Sequence, residues 1–156
     1  MTTPEILDEE FESLKADLIQ RHRDLGMKAS GLWESELAIE IESNDGRTTA
    51  RLSGLKYTEQ LVFGRKPGKF PPIKAIEQWI IDKGITLENN IKASSLAFLI
   101  ARKIAKEGTK YFRDGGTDLI ESVITPERIQ SIISRVREID VVTMTNGLIK
   151  QLKEVA

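Results

Sequence analysis

Nine residues near the middle of the chain, Gly64 to Pro72, read Gly-Arg-Lys-Pro-Gly-Lys-Phe-Pro-Pro. Three prolines and two glycines leave no room for a helix or a sheet ladder, because proline lacks the N–H and glycine loses the most backbone freedom. The segment must be a loop. Before it, residues 36–42 alternate Leu37, Ile39 and Ile41 against Glu36, Glu40 and Glu42, the pattern of a half-buried strand. Asn44-Asp45-Gly46 is a turn signal, and Arg47–Leu55 reads as the returning strand. A hairpin is therefore expected over about 36–55.

The rest of the chain reads as helix. Thr3-Pro4-Glu5 is a helix start, with a capping residue, a proline at the first helical position and an acid at the positive helix end. Ile6, Phe11, Leu14, Leu18 and Leu25 continue at helical spacing to Gly26, so a helix is expected over about 5–25. Pro72 can start a second, carrying Ile73, Ile76, Trp79 and Ile80 and ended by Gly84. A third, from about Ala93 to Glu107, has an apolar stripe (Leu96, Leu99, Ile100, Ile104) and a row of alanines (Ala93, Ala97, Ala101, Ala105) that invites close approach of another element. Residues 72–107 thus hold two helices. A loop is expected over 108–118, and Pro126 opens a further helix. Val141–Thr145 is β-branched and suits a strand or a continued helix equally; 147–154 looks helical, so 126–156 is a helical or strand segment. The fold class expected is α+β: a small antiparallel sheet flanked by an N-terminal helix and several later helices. At 156 residues, the length suggests one domain.

Composition narrows the function. The formal charge is −1, which argues against coating nucleic acid by bulk charge. The total hides a division: residues 1–50 hold 12 acids and 5 bases, and residues 51–156 hold 12 acids and 18 bases. There is no cysteine, which excludes disulfides, thiolate zinc sites and cysteine nucleophiles. No apolar run approaches the ~18 residues of a membrane span, and the acidic start is unlike a secretory signal. A protein made in the cytosol that uses no membrane is the expectation.

Candidate sites are few. Gly64-Arg-Lys-Pro-Gly68-Lys69 superficially resembles a phosphate-binding loop. It has three residues between its glycines where four are needed, and Phe70 where Ser or Thr should follow the lysine. It reads better as a pre-ordered basic contact loop carrying Arg65, Lys66, Lys69 and Phe70. His22, the one histidine, has no ligands spaced around it for a metal and is expected on the surface among Arg21, Arg23 and Asp24. Glu40 and Glu42 read as the solvated face of the hairpin rather than an acid–base pair. Arg102, Lys103, Lys106, Lys110 and Arg113 lie beside Tyr111 and Phe112, which could bind nucleic acid but reads more simply as the wet face of a helix. Trp33, Trp79 and Tyr57 are candidate anchors. No catalytic, metal or cofactor set emerges.

These residues resemble a known family. The order of segments is similar to the tail-completion (head–tail connector, neck) proteins of long-tailed bacteriophages: a helix, then Ser30-Gly31-Leu32-Trp33-Glu34-Ser35, a hairpin, and Tyr57-Thr58-Glu59-Gln60-Leu61-Val62-Phe63-Gly64. Arg65 to Pro72, Ile76, Trp79-Ile80, Lys83-Gly84-Ile85, Leu96 to Ala105 and Gly108-Thr109 continue it. The likeness spans about residues 5–113. Arg65 departs from it, since Gly-Thr often ends that family segment. The resemblance implies a non-enzymatic virion subunit with no cofactor, assembling as a homo-oligomeric ring, hexameric or twelvefold. Its implied partners are portal or adaptor and tail-tube proteins, with DNA passing through the lumen. Tyr57, Arg65, Lys66, Lys69, Phe70, Trp79, Arg102 and Lys106 are the interface candidates. The alternative from the residues alone is a nucleic-acid-binding module using segment 102–113.

Overall fold

A computed structural model describes residues 1–155. In chain order its elements are α1 (Thr3–Asp24), α2 (Leu32–Ser35), β1 (Ala38–Asn44), β2 (Arg47–Ser53), α3 (Thr58–Phe63), α4 (Ile73–Asp82), α5 (Ala93–Glu107), α6 (Lys110–Arg113) and α7 (Pro126–Val155). The class is α+β, with one two-stranded antiparallel sheet among helices. Val141–Thr145 continues α7 rather than forming a strand. In the stretch 108–118, expected to be all loop, Lys110–Arg113 make one helical turn because Thr109 caps it, its hydroxyl accepting from the Phe112 N–H.

The length suggests one domain; the described residues group into two compact units. The first comprises residues 1–17, 38–53 and 121 onward, the second residues 18–37 and 54–120. Their charges differ in sign. From the sequence, the first holds 8 bases and 14 acids and the second 15 bases and 10 acids.

In the first unit the hairpin has a two-residue turn. Asp45 and Gly46 both take positive φ, which matches the right-handed twist of the strands. The register pairs Ile39 with Leu52 and Ile41 with Ala50 on the half-buried face, and sets Glu40 opposite Arg51 on the wet one. The start of α1 and the start of α7 run antiparallel, tied by side chains. Thr3 bonds Asp140 at 2.7 Å, Arg135 reaches Glu9 and Glu10 at 2.7 Å each, and Arg128 meets Asp17 at 2.6 Å. Ile6 and Leu14 on α1 are buried.

In the second unit α4 packs along α5. The alanine row makes the close face: Ala97 and Ala101 are fully buried, as is Ile80 of α4. Leu99, expected in the buried stripe, is exposed, since the seam centres on the alanines and carries Leu99 past its edge. Trp33 is buried; its indole N–H donates to Thr58 Oγ1 at 2.8 Å, and that hydroxyl donates to the Leu55 carbonyl at 2.6 Å. Removing a buried tryptophan of this kind costs about 3–5 kcal/mol.

The placement of His22 corrects the surface expectation. It is 3% exposed and stacked on Trp33, with ring centroids 4.3 Å apart. Its local neighbours are polar, but the indole covers it. Nδ1 has no hydrogen-bond partner and lies 3.6 Å from Glu34 Oε1. Burial holds the imidazole pKa below its ordinary value, against the opposing pull of Glu34 and with help from Lys83 and Arg23. Glu34 is itself engaged by Arg23 at 2.7 Å, which keeps its carboxyl below the usual carboxylate range.

A pH dependence follows. An unfolded histidine titrates near about 6.5, and the folded one lower. Between those values the unfolded chain binds more protons, so stability is complete above the unfolded value and is lost as pH falls toward the folded one. His22→Gln lacks this titration. The melting-temperature difference between wild type and His22→Gln should therefore move against wild type as pH drops from neutral to mildly acidic. A difference that stays constant over that range contradicts the buried neutral imidazole.

Candidate functional site

The basic loop is built on hydrogen bonds to the far end of α5 and to α6. Arg65 N–H donates to Thr109 Oγ1 at 2.9 Å, and Thr109 N–H returns to the Arg65 carbonyl at 3.0 Å. Gly68 N–H donates to the Ala105 carbonyl at 2.8 Å. Upstream, Thr117 gives its N–H to Val62 and its hydroxyl to Leu61, both at 2.7 Å. Residues 61–68 are thereby fastened to residues 105–117, and the orphan carbonyl of Ala105 near the helix end is satisfied.

Two glycines permit this approach. A Cβ on Gly64 would lie 2.1 Å from the Phe112 nitrogen, and one on Gly108 2.8 Å from the Arg65 carbonyl oxygen; both residues have positive φ. No side chain fits either place.

On this base the loop displays what the sequence marked. Lys66, Lys69 and Phe70 are exposed and Arg65 half-buried. Phe70 lies over Phe98 of α5, with ring centroids 6.1 Å apart. Phe98, Arg102 and Lys106 are four residues apart, hence on one helix face, and all three are exposed. The structure thus brings Phe70 to the α5 face that carries Arg102 and Lys106, with the lysine loop stitched alongside. Tyr57 and Trp79 do not join them; among the described residues neither shares a hydrogen bond, ion pair or ring contact with the loop. Trp79 is partly exposed on α4, and Tyr57, just before α3, has its phenol pKa raised by partial burial.

Among the described residues, Arg65, Lys66, Lys69, Arg102, Lys103 and Lys106 form no ion pair. Three acids of the segment that follows are engaged by other bases: Glu107 by Arg113, Asp114 by Lys110, and Asp118 by Arg21. The rest of the segment singled out for nucleic acid is less free. Phe112 packs under Gly64 and Gly108, and burial raises the Tyr111 phenol.

Sequence reasoning missed Phe98 and Thr109 as parts of this site. Phe98 had a signal, its four-residue spacing from Arg102. Thr109 had one in its position after Gly108 and before a short polar-aromatic run, a cap pattern. No family model, curated protein or solved structure matches the chain, and no described helix is long and apolar enough to cross a membrane.

Loss of the fastening is measurable. Gly64→Ala should destabilise the protein by about 3 kcal/mol or more, from forced φ and backbone overlap. Thr109→Ala should cost about 1–2 kcal/mol, and Thr109→Ser much less, because the hydroxyl is retained. Urea unfolding checks all three, and a Gly64→Ala protein as stable as wild type refutes the close approach.

Proposed function

We propose that the chain is a structural subunit of a phage neck or tail, a head–tail connector or tail-completion protein that acts by ring assembly rather than by turnover. The observation that carries this reading is the loop–α5 surface. Exposed rings of Phe70 and Phe98 sit beside cations left without acidic partners, on a backbone fixed from two sides. Such a surface loses little entropy on docking, and its aromatic centre with a charged surround is the usual anatomy of a protein contact.

A complementary surface exists on the same chain. Glu5, Asp8 and Glu12 share one exposed face of α1. Asp8 and Glu12 are in no ion pair among the described residues. A basic patch meeting an acidic patch on the next copy is a head-to-tail contact, the kind that closes rings. The ring would sit between portal or adaptor and tail-tube proteins in the virion, with DNA in its lumen.

The unpaired Arg102, Lys103 and Lys106 also support the second reading, a nucleic-acid-binding module. The packing of Phe112 and the partial burial of Tyr111 take away the stacking rings it needs, so assembly is favoured.

A charge swap tests the first reading. Lys69→Glu with Arg102→Glu should weaken self-association about tenfold or more. Adding Asp8→Lys and Glu12→Lys should restore it, read by light scattering at low salt and by negative-stain imaging of rings. Association unchanged by the first pair of substitutions refutes the contact. A gel shift with duplex and single-stranded DNA tests the second reading, which requires binding that falls steeply with salt.

A further inference from the structure

Among the described residues the last bond between α1 and α7 is Thr3 to Asp140, at the very start of α1. Beyond it α7 continues from Val141 to Val155, about 22 Å at 1.5 Å per residue. Up to Asp140, α7 is half-buried at Ile132, Ile133, Arg135, Val136 and Ile139; from Asp140 to Glu154 every residue is exposed. A helical arm of this length without tertiary packing is marginal in water.

The arm is not polar. Val141, Met144, Leu148 and Leu152 follow i, i+3, i+7, i+11 spacing, one stripe along the helix. They are between 51% and 71% exposed. Successive residues turn by about 100°, which puts this stripe roughly opposite the Ile132, Val136 and Ile139 face that is half-buried in the first half of α7. The stripe therefore does not extend the intramolecular packing face. An open depression lined by Arg137, Glu138, Val141 and Val142 lies at its start.

We infer that the arm docks on the same arm of a second copy, antiparallel. The sequence is self-complementary in that direction. Setting Val141 opposite Leu152 brings Met144 within one residue's rise of Leu148, so the four stripe residues meet chiefly one another. The same register brings Glu138 at the arm's base toward Lys153 near its tip, on one flank of the stripe. A parallel pair would instead leave Lys153 about 22 Å along the axis from Glu138. Antiparallel axes also oppose the helix dipoles. Gly147 falls at the midpoint of this register beside the stripe, with nothing within 4 Å of where its Cβ would be. In an unpaired helix that glycine only weakens the arm; in a pair it lets the partner approach.

The contact is self-matched, unlike the head-to-tail contact proposed above, and does not depend on it. The full chain carries no cysteine, so cross-linking reads the geometry directly. Under mild oxidation a mixture of Val141→Cys and Leu152→Cys proteins should form the mixed disulfide dimer, and each alone should not. In sedimentation the wild-type dimer should persist in Lys69→Glu/Arg102→Glu, while Met144→Glu/Leu148→Glu becomes monomeric yet still melts cooperatively, at a temperature lowered by the lost association. Self-linking of Val141→Cys alone would establish a parallel pair and overturn the proposal. So would a wild-type monomer at all concentrations, whether it stays free or sediments with phosphatidylcholine–phosphatidylglycerol vesicles. A wild-type arm dimer that forms no larger assembly at low salt would sink the ring reading alone.

Discussion

Arg65 and Thr109 exchange two backbone-anchored hydrogen bonds across 44 residues of sequence, and the basic surface depends on them. Without that clasp, a segment with three prolines and two glycines has no ladder and no helix to hold it. With it, the loop lies against the end of α5 and its lysines keep fixed neighbours. The clasp needs two absences, the missing side chains of Gly64 and Gly108, because backbone meets backbone there. One hydroxyl, Thr109 Oγ1, both holds the loop and caps α6. Loop position and helix start are therefore one cooperative feature.

Charge is arranged around this feature by subtraction. The second unit has an excess of bases, yet its acids are not spread evenly among them. Glu34, Glu107, Asp114 and Asp118 are committed to Arg23, Arg113, Lys110 and Arg21. Exposed pairs of this kind contribute little to stability, roughly 0–1 kcal/mol each. Their larger consequence is that these four acids are taken up by other bases, while among the described residues Lys66, Lys69, Arg102 and Lys106 form no ion pair. Cations that form no ion pair among the described residues keep their field for a partner, which raises encounter rate and selectivity more than it raises affinity.

How much of this was legible in sequence depends on how local each cause is. The hairpin was legible, because alternation and Asn44-Asp45-Gly46 act over a few residues. The alanine row was legible as a close-packing face, but its neighbour Leu99 was misassigned, since periodicity marks a stripe without marking where its centre falls. His22 was illegible: its sequence neighbours are charged, and the indole of Trp33 that stacks on it lies eleven residues away. Val141–Thr145 was ambiguous because β-branched residues favour strands locally, whereas the structure continues a helix already nucleated at Pro126. Within the candidate site, Lys69 and Phe70 were visible as loop residues, but the Phe98 platform under them required knowing that residues 64–70 run along α5.

The two proposed contacts differ in symmetry, and that difference has a physical consequence. A patch meeting an unlike patch propagates: each copy has one free donor face until a ring closes or a filament grows. A stripe meeting its own copy stops at two. The loop surface is charged, so salt weakens it over a Debye length of about 8 Å at physiological ionic strength. The α7 stripe is apolar, so salt leaves it largely untouched. A subunit with both contacts can exist as arm-paired dimers at high salt and commit to larger assemblies only when charge is unscreened. Assembly order then follows from which interaction survives dilution and salt, with no change in the fold of either unit.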